Sequence, residues 1–321
     1  MVVIVAAPDS FKGTFSAREV AQAIARGVRA MGREAIELPV GDGGEGTMDA
    51  LVAVLGGNLR RAMVSDPLGH PVEAAYALLP DGRTAIVETA QASGLWRVAE
   101  GERDAWAAST RGTGELIAAA AMAGASKAIV TVGGSATTDG GIGAIEALDE
   151  AQVDVELDVL CDVRSAWEEA PRLYGPQKGA DPATVERLER RLDELARKAP
   201  RDPRGVPHTG SAGGLSGGLW AFRGARLFPG AAYVLDVLRF DERLREARFV
   251  VTGEGRLDAQ TLQGKIVDEI ARRCRAKGIA CHAVVGQNAL EADGIARLAL
   301  ASVREATTPE ELEAAGRALA G

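Results

Sequence analysis

The opening of the chain sets the tightest limit on its fold. Residues 2–7, VVIVAA, form an unbroken apolar run, the pattern of a strand covered on both faces. The loop PDSFKGTFS follows, and Ser16 is placed to cap a helix over AREVAQAIARGVRAM. EAIELPV then reads as a second strand, GDGGEGT as a loop, and MDALVAVLGG as a helix closed by Gly56 and Gly57. An order of β-loop-α-β-loop-α in the first 57 residues is the start of a parallel α/β domain.

Beyond residue 60 the rhythm changes. RRAMVSDPLGHPVEAAYALLPDGRTAIVETA alternates apolar and polar residues around PLG and PDG turns, which predicts antiparallel hairpins. RGTGELIAAAAMAGA reads as a loop and small-residue helix leading into the strand KAIVTVG, and LDVLCDV as a further strand. PATVERLERRLDELARKA carries Val185, Leu188, Leu192 and Leu195 on one stripe of an amphipathic helix. PRDPRGVP reads as a linker and TGSAGGLSGGL as a glycine-rich loop, after which ARFVVTGEGRLDAQTLQGK, IVDEIARRCRAKG and IACHAVVG restore the βα rhythm. The chain of 321 residues has room for about two domains. The expected layout is a discontinuous parallel-sheet α/β domain from residues 1–60 plus 240–321, enclosing a mixed α/β domain over 61–239.

Charge and cysteine content exclude several partners. The net charge is −8, from 45 acidic and 37 basic residues, and no basic stripe interleaves with aromatics, so nucleic acid is not an expected partner. Cys161, Cys274 and Cys281 are odd in number and widely spaced, which reads as reduced thiols. The N-terminal apolar run lacks a basic lead, and no uncharged run reaches the roughly 18 residues of a membrane helix. The expectation is a cytoplasmic protein without a membrane partner.

Five segments at strand ends carry acids, usually with glycine and a hydroxyl: PDSFKG (8–13), GDGGEGT (41–47), GGSATTDGG (133–141), CDV (161–163) and TGEGRLD (252–258). Ligands of α/β sheets bind outside the carboxyl ends of strands, so such loops can converge on one crevice. In GGSATTDGG, Gly133 and Gly134 allow close backbone approach, successive N–H groups can form an anion nest, and Ser135, Thr137 and Thr138 add hydroxyls before Asp139. Lys12 can clamp a phosphoryl group or a substrate carboxylate. Asp42 and Glu45 suit Mg2+ or the hydroxyls of a polyol, and Asp162 suits a metal or a substrate hydroxyl. Glu254, Arg256 and Asp258 put two acids and a base in five residues, which serves a ligand or an internally bridged turn. Lys178 in GPQKGA and Lys265 in LQGK are weaker versions of Lys12.

Three other chemistries match in form only. GDGGEG fits the dinucleotide pattern GxGxxG, with Asp66 about 20 residues beyond Gly46. It follows the second strand, however, and its two carboxylates would repel a pyrophosphate. His70, His208 and His282 are scattered without HExxH, against a zinc hydrolase. GLSGG fits the nucleophile elbow GxSxG, but TGSAG rather than an apolar strand precedes it. Glycine nests, hydroxyls, acids and a lysine are the parts of phosphoryl transfer.

APDSFKG, DGGEGT, GTGELI, GGSATTDGG, CDV, GPQKGA, AGGL and VTGEGRLDAQTLQGK occur in this order from residue 7 to 265, and together they resemble the class I glycerate kinase family. The resemblance implies two α/β domains, one flavodoxin-like, with the active site in the cleft between them. It also implies Mg2+-dependent phosphorylation of D-glycerate by ATP, usually to 2-phosphoglycerate. On that reading Gly133, Gly134, Ser135, Thr137, Thr138 and Asp139 bind nucleotide phosphate. Lys12, Asp42, Asp162 and Asp258 are the expected catalytic residues, with Asp42 and Asp162 facing Mg2+ or the accepting hydroxyl. Asp9, Ser10, Glu45 and Arg256 are the expected substrate contacts. Partners are glycerate and ATP, with a homodimer left open. The chain departs from the family pattern at Thr138, where Asn is usual, at Ser165, in TGSAGG, and by a shortened segment between Gly143 and Cys161. Two rivals stay open: a shortened, catalytically weak relative that binds nucleotide or organic acid, and a nucleotide-dependent dehydrogenase.

Overall fold

A computed structural model describes residues 3–321, the side chain of residue 263 excepted. The chain divides into two compact units, one of residues 1–42, 49–55 and 231–321, the other of 43–48 and 56–230. Strand β1 spans Val3–Pro8 with all six residues buried, as a central parallel strand requires. Val2, where the sequence places the start of this strand, lies outside the described residues. Ser16 caps the helix Ala17–Ala30 and exchanges bonds with Glu19, a complete capping box. That helix packs on Pro309–Ala320 so closely that a Cβ on Gly27 would lie 2.0 Å from the Glu313 carbonyl oxygen. Strand β2, Glu34–Glu37, pairs parallel to β1, and the helix Thr47–Leu55 follows.

In the second unit, β3 (Asn58–Ser65), β4 (Pro71–Leu78) and β5 (Thr84–Glu88) form the antiparallel meander expected from the PLG and PDG turns. Asp66 shapes the first turn by accepting from the N–H groups of Leu68 (2.8 Å) and His70 (2.9 Å). Strands β6 (Lys127–Thr131), β7 (Glu156–Cys161) and β8 (Arg226–Pro229) then add in parallel, giving a mixed sheet of order β3-β4-β5-β6-β7-β8.

Two stretches read as loops are helical. RGTG opens the helix Arg111–Met122, and LSGGL lies in the helix Leu215–Arg223. Their glycines serve packing: a Cβ on Gly112 would meet the Ser65 carbonyl oxygen at 1.8 Å, and one on Gly218 the Gly140 carbonyl oxygen at 2.0 Å. The helix Pro182–Lys198 buries Leu188 and Leu192, and Leu192 offers its carbonyl to the indole N–H of the buried Trp167 (2.9 Å).

The chain returns to the first unit with β9 (Ala247–Gly253), β10 (Arg256–Leu257), β11 (Ala280–Val285), β12 (Gln287–Asn288) and β13 (Ser302–Glu305). The five-stranded sheet runs β13-β11-β9-β1-β2 with every pair parallel, while β10 pairs with β12. Counting only its own strands, this unit has the order 2-1-3-4-5 of a flavodoxin-like domain, with the second unit inserted after its second strand. The three cysteines are buried and unpaired. Among the described residues, no helix is long and apolar enough to cross a membrane.

Candidate active site

In a sheet of this order the crevice opens at the switch point, where chain connections leave β1 and its neighbour β9 in opposite directions. Asp9 is the first residue beyond β1 and Glu254 the first beyond β9, and the Asp9 N–H donates to Gly253 O (2.8 Å), extending the ladder into the loop. A bond from Val40 N to Pro8 O (3.1 Å) carries the segment after β2 along the same edge toward Asp42. Together these loops enclose a pocket of about 390 Å3 in the first unit. Lys12, Arg256 and Lys265 give it positive charge, and Asp9, Asp42, Glu254 and Asp258 negative charge. Ser10, Thr14, Gln287 and Thr307 add neutral polar groups, and Phe11 and Phe15 an apolar wall.

The buried acids do not sit at their ordinary pKa. Burial pushes the Asp9 carboxyl well up, Asp42 and Glu254 add to the rise, and Lys12 and the Ser10 N–H (2.6 Å) oppose it. Burial likewise lifts Glu254 to about 7, held back by the Thr261 hydroxyl and Lys265. Asp258 is engaged locally, accepting from Gln260 N (2.9 Å) and standing 3.7 Å from the Arg256 guanidinium. Lys12 and Arg256 are exposed.

The glycine loop 133–141 belongs to the second unit and follows β6. Gly133 is required there, because a Cβ would meet Gly44 Cα at 2.4 Å and Asp162 Oδ2 at 3.0 Å. Gly134 is exposed, with the Glu45 carboxylate beside it. The rest of the loop is buried and heavily tied. Asp139 accepts from Thr110 N (2.8 Å), Thr110 Oγ1 (2.8 Å), Gly141 N (3.0 Å) and Gly143 N (3.3 Å), which binds the loop to the starts of two helices. The hydroxyls of Thr137 and Thr138 are buried and have no hydrogen-bond partner among the described residues, and Gly213 packs directly over this backbone.

Six of the expected catalytic and substrate residues, Asp9, Ser10, Lys12, Asp42, Arg256 and Asp258, therefore share one pocket, together with Glu254 and Lys265. Glu45, Asp162 and the glycine loop lie in the other unit. Two residues were underrated. Glu254 and Asp258 both line the pocket, but Asp258 also accepts from Gln260 N within its own turn, whereas among the described residues the Glu254 carboxylate is held only by the Thr261 hydroxyl. Lys178 is buried and donates to Thr137 O (2.6 Å) and Ser135 Oγ (3.1 Å), supplying the glycine loop with a lysine from about 40 residues downstream. Burial lowers its pKa to about 8, against the pull of Asp139 and Asp162. Its signal in the sequence was the motif GPQKGA, one of those that carry the family resemblance.

The dinucleotide alternative fails on geometry: the Glu88 carboxylate already accepts from Gly46 N (3.0 Å) and Met48 N (3.2 Å), where a pyrophosphate would sit. Ser216 lies inside a helix and donates to His208 O (2.6 Å), so GLSGG forms no nucleophile elbow.

The Glycerate kinase family model matches residues 4–154 and 147–319. The chain belongs to the glycerate kinase family. Glycerate 2-kinase of Escherichia coli is 39% identical over 302 residues, covering 82% of this chain and 79% of that protein. Glycerate kinase of Halalkalibacterium halodurans is 38% identical, covering 89% and 86%. A crystal structure of a Salmonella typhimurium LT2 protein described as glycerate kinase 2 superposes with a TM-score of 0.84 at 34% identity, over 99% of this chain and 97% of that one. This member of the family is thus a kinase with an α/β fold of one parallel and one mixed sheet. The family match comes in two segments that overlap over residues 147–154, from the end of the helix Ile142–Glu150 toward β7. The E. coli alignment also spans more residues than the part of this chain it covers, so that relative carries residues absent here.

Proposed function

We propose that the protein transfers the γ-phosphoryl group of ATP, with Mg2+, to a hydroxyl of D-glycerate, and that the product is 2-phosphoglycerate. The observation that carries this reading is the switch-point pocket of the first unit, where three cations meet four carboxylates in a chain of the glycerate kinase family. The name of the E. coli relative, Glycerate 2-kinase, supports the position of transfer. A hydroxy acid needs a cation for its carboxylate and acceptors for its hydroxyls, and this pocket offers both.

Arg256 meets the glycerate carboxylate, with Asp258 holding the guanidinium, while Asp9 and Ser10 receive the hydroxyls; Glu45 belongs to the second unit and is proposed as a further substrate contact. Lys12 neutralises charge on the transferring group. In the second unit, the loop from Gly133, Gly134 and Ser135 through Thr137, Thr138 and Asp139 cradles nucleotide phosphate. Asp42 and Asp162 are the carboxylates offered to Mg2+. Among the described residues, no group of three His, Cys, Asp or Glu side chains is set to hold a metal ion, which fits an ion that arrives with ATP and keeps phosphate and water as most of its ligands. That ion supplies charge neutralisation of the phosphates. Such a transfer asks mainly for positioning and electrostatics.

The test is ADP release by the purified protein with ATP, Mg2+ and D-glycerate, with the product read by phosphorus NMR. The expected result is glycerate-dependent ADP and a 2-phosphate signal. Release no faster than without glycerate overturns the reaction, and a 3-phosphate signal overturns the position.

A further inference from the structure

We infer that Glu254 accepts the proton of the hydroxyl that is phosphorylated. The inference rests on reading the first-unit pocket as the hydroxy-acid site, and adds a catalytic residue to it. Glu254 is 8% exposed, and the pocket it lines is where that remaining surface opens. The fully buried Thr261 hydroxyl sets its orientation: it receives Asp258 N–H (3.2 Å) and donates its own hydrogen to Glu254 Oε1 (2.6 Å). Because that hydrogen is committed, Oε1 stays an acceptor and a proton taken up by Glu254 goes to Oε2. Among the described residues no donor is bonded to Oε2.

The other acids of the pocket are less suited. Asp9 is buried deeper, is bound by its neighbour's N–H, and is pushed well up in pKa, which favours its neutral form. Asp258 is occupied by Gln260 N and Arg256. The charged groups around Glu254 are Asp9, Asp42 and Asp258 on the acidic side and Lys12, Arg256 and Lys265 on the basic side. In this setting burial lifts Glu254 to about 7, the range in which a carboxylate can both be ionised and take a proton.

In the step itself the acceptor O–H bond breaks and the proton goes to Oε2. The oxygen forms the new bond to the γ-phosphorus of ATP. The bond from that phosphorus to the bridging oxygen breaks, its electron pair leaving with ADP. Water removes the proton from Glu254 after the product departs.

The experiment compares wild type, Glu254→Gln, Glu254→Asp and Thr261→Val in the full chain, over about pH 5.5 to 9, with glycerate binding measured by calorimetry. Wild-type kcat should fall on the acid side with an inflection near 7. Glu254→Gln should lose about 100-fold in kcat and lose that inflection, with glycerate affinity changed less than about threefold; Glu254→Asp should recover part of the rate. Thr261→Val removes the bond that holds the pKa down, so its inflection should move to higher pH. A Glu254→Gln protein with more than about a tenth of wild-type kcat, or a Thr261→Val inflection that stays in place, overturns the inference. If wild type itself releases no ADP with glycerate, the reaction assignment has failed instead.

Discussion

Both units place polar loops at the carboxyl ends of parallel strands, yet the two loop sets are used differently. Beyond β1 and β9 the side chains line an open pocket, acids outnumber bases, and two carboxylates are pushed up because burial leaves their charge uncompensated. Beyond β6 the polar groups are turned into the protein. Asp139 spends its oxygens on backbone N–H groups and the hydroxyls of Ser109 and Thr110, and Lys178 spends two hydrogens on the same loop. The first arrangement leaves chemistry to be completed by a ligand, whereas the second fixes the shape of a backbone. A carboxylate at a strand end thus acquires its role from where its hydrogen bonds go, not from its place in the topology.

The strongest way to break that comparison is Asp139→Ala. It strands buried donors on Thr110, Gly141 and Gly143 and should cost about 3–5 kcal/mol, read by urea unfolding. A variant as stable as wild type would show that the loop does not depend on its clamp. Lys12→Ala is the opposite case. The side chain is exposed, so stability should stay within about 0.5 kcal/mol while kcat drops about 100-fold. Loss of stability with an unchanged rate would move Lys12 into the structural class.

The same contrast marks how far the sequence could be read. Strand β1 and the meander turns follow from patterns spanning a few residues, the flavodoxin-like layout from the family resemblance, and they stand in the structure as expected. Glycines misled where their purpose was contact: Gly218 sits in a helix because Gly140 lies against it, a neighbour that sequence spacing does not reveal. The sequence shows that Thr137 and Thr138 add hydroxyls to the loop, but not that the packing of residues 211–214 over them buries both. Lys178 reaches the glycine loop only through the packing of the turn Pro176–Lys178, so nothing local distinguishes it from Lys265. Glu254 and Asp258 share one motif and one pocket, and only the turn closed by Thr261 decides which of them is engaged locally.

Stability against pH sharpens the comparison further, because the two buried groups slope in opposite directions. Glu254 rises from 4.5 to about 7 on folding, so between those values the native state holds a proton that the unfolded state has released. Its contribution is fully present below pH 4.5 and is lost as pH climbs through 7. Glu254→Gln abolishes that loss, and should be about 2 kcal/mol more stable than wild type at pH 8 with the gap closing toward pH 4.5. Unfolding curves that keep a constant gap would mean that Glu254 is not uncompensated in the pocket.

Lys178 gives the smaller and reversed effect. Its pKa falls from 10.5 to about 8 on folding, so between these values the unfolded chain binds the extra proton and stability rises with pH. Lys178→Met removes that rise but also leaves Thr137 O and Ser135 Oγ without their donor. The two terms oppose each other below pH 8, where the buried ammonium is most costly; between pH 8 and 10.5 that cost fades and the lost hydrogen bonds are left to decide. The variant should therefore lie within about 1 kcal/mol of wild type at pH 7 and fall about 1–2 kcal/mol behind it near pH 10, measured as the difference between paired urea titrations. A difference that does not change with pH would show that Lys178 keeps its proton throughout, balanced by Asp139 and Asp162, and that the second unit's loop is held by charge rather than by hydrogen bonds alone.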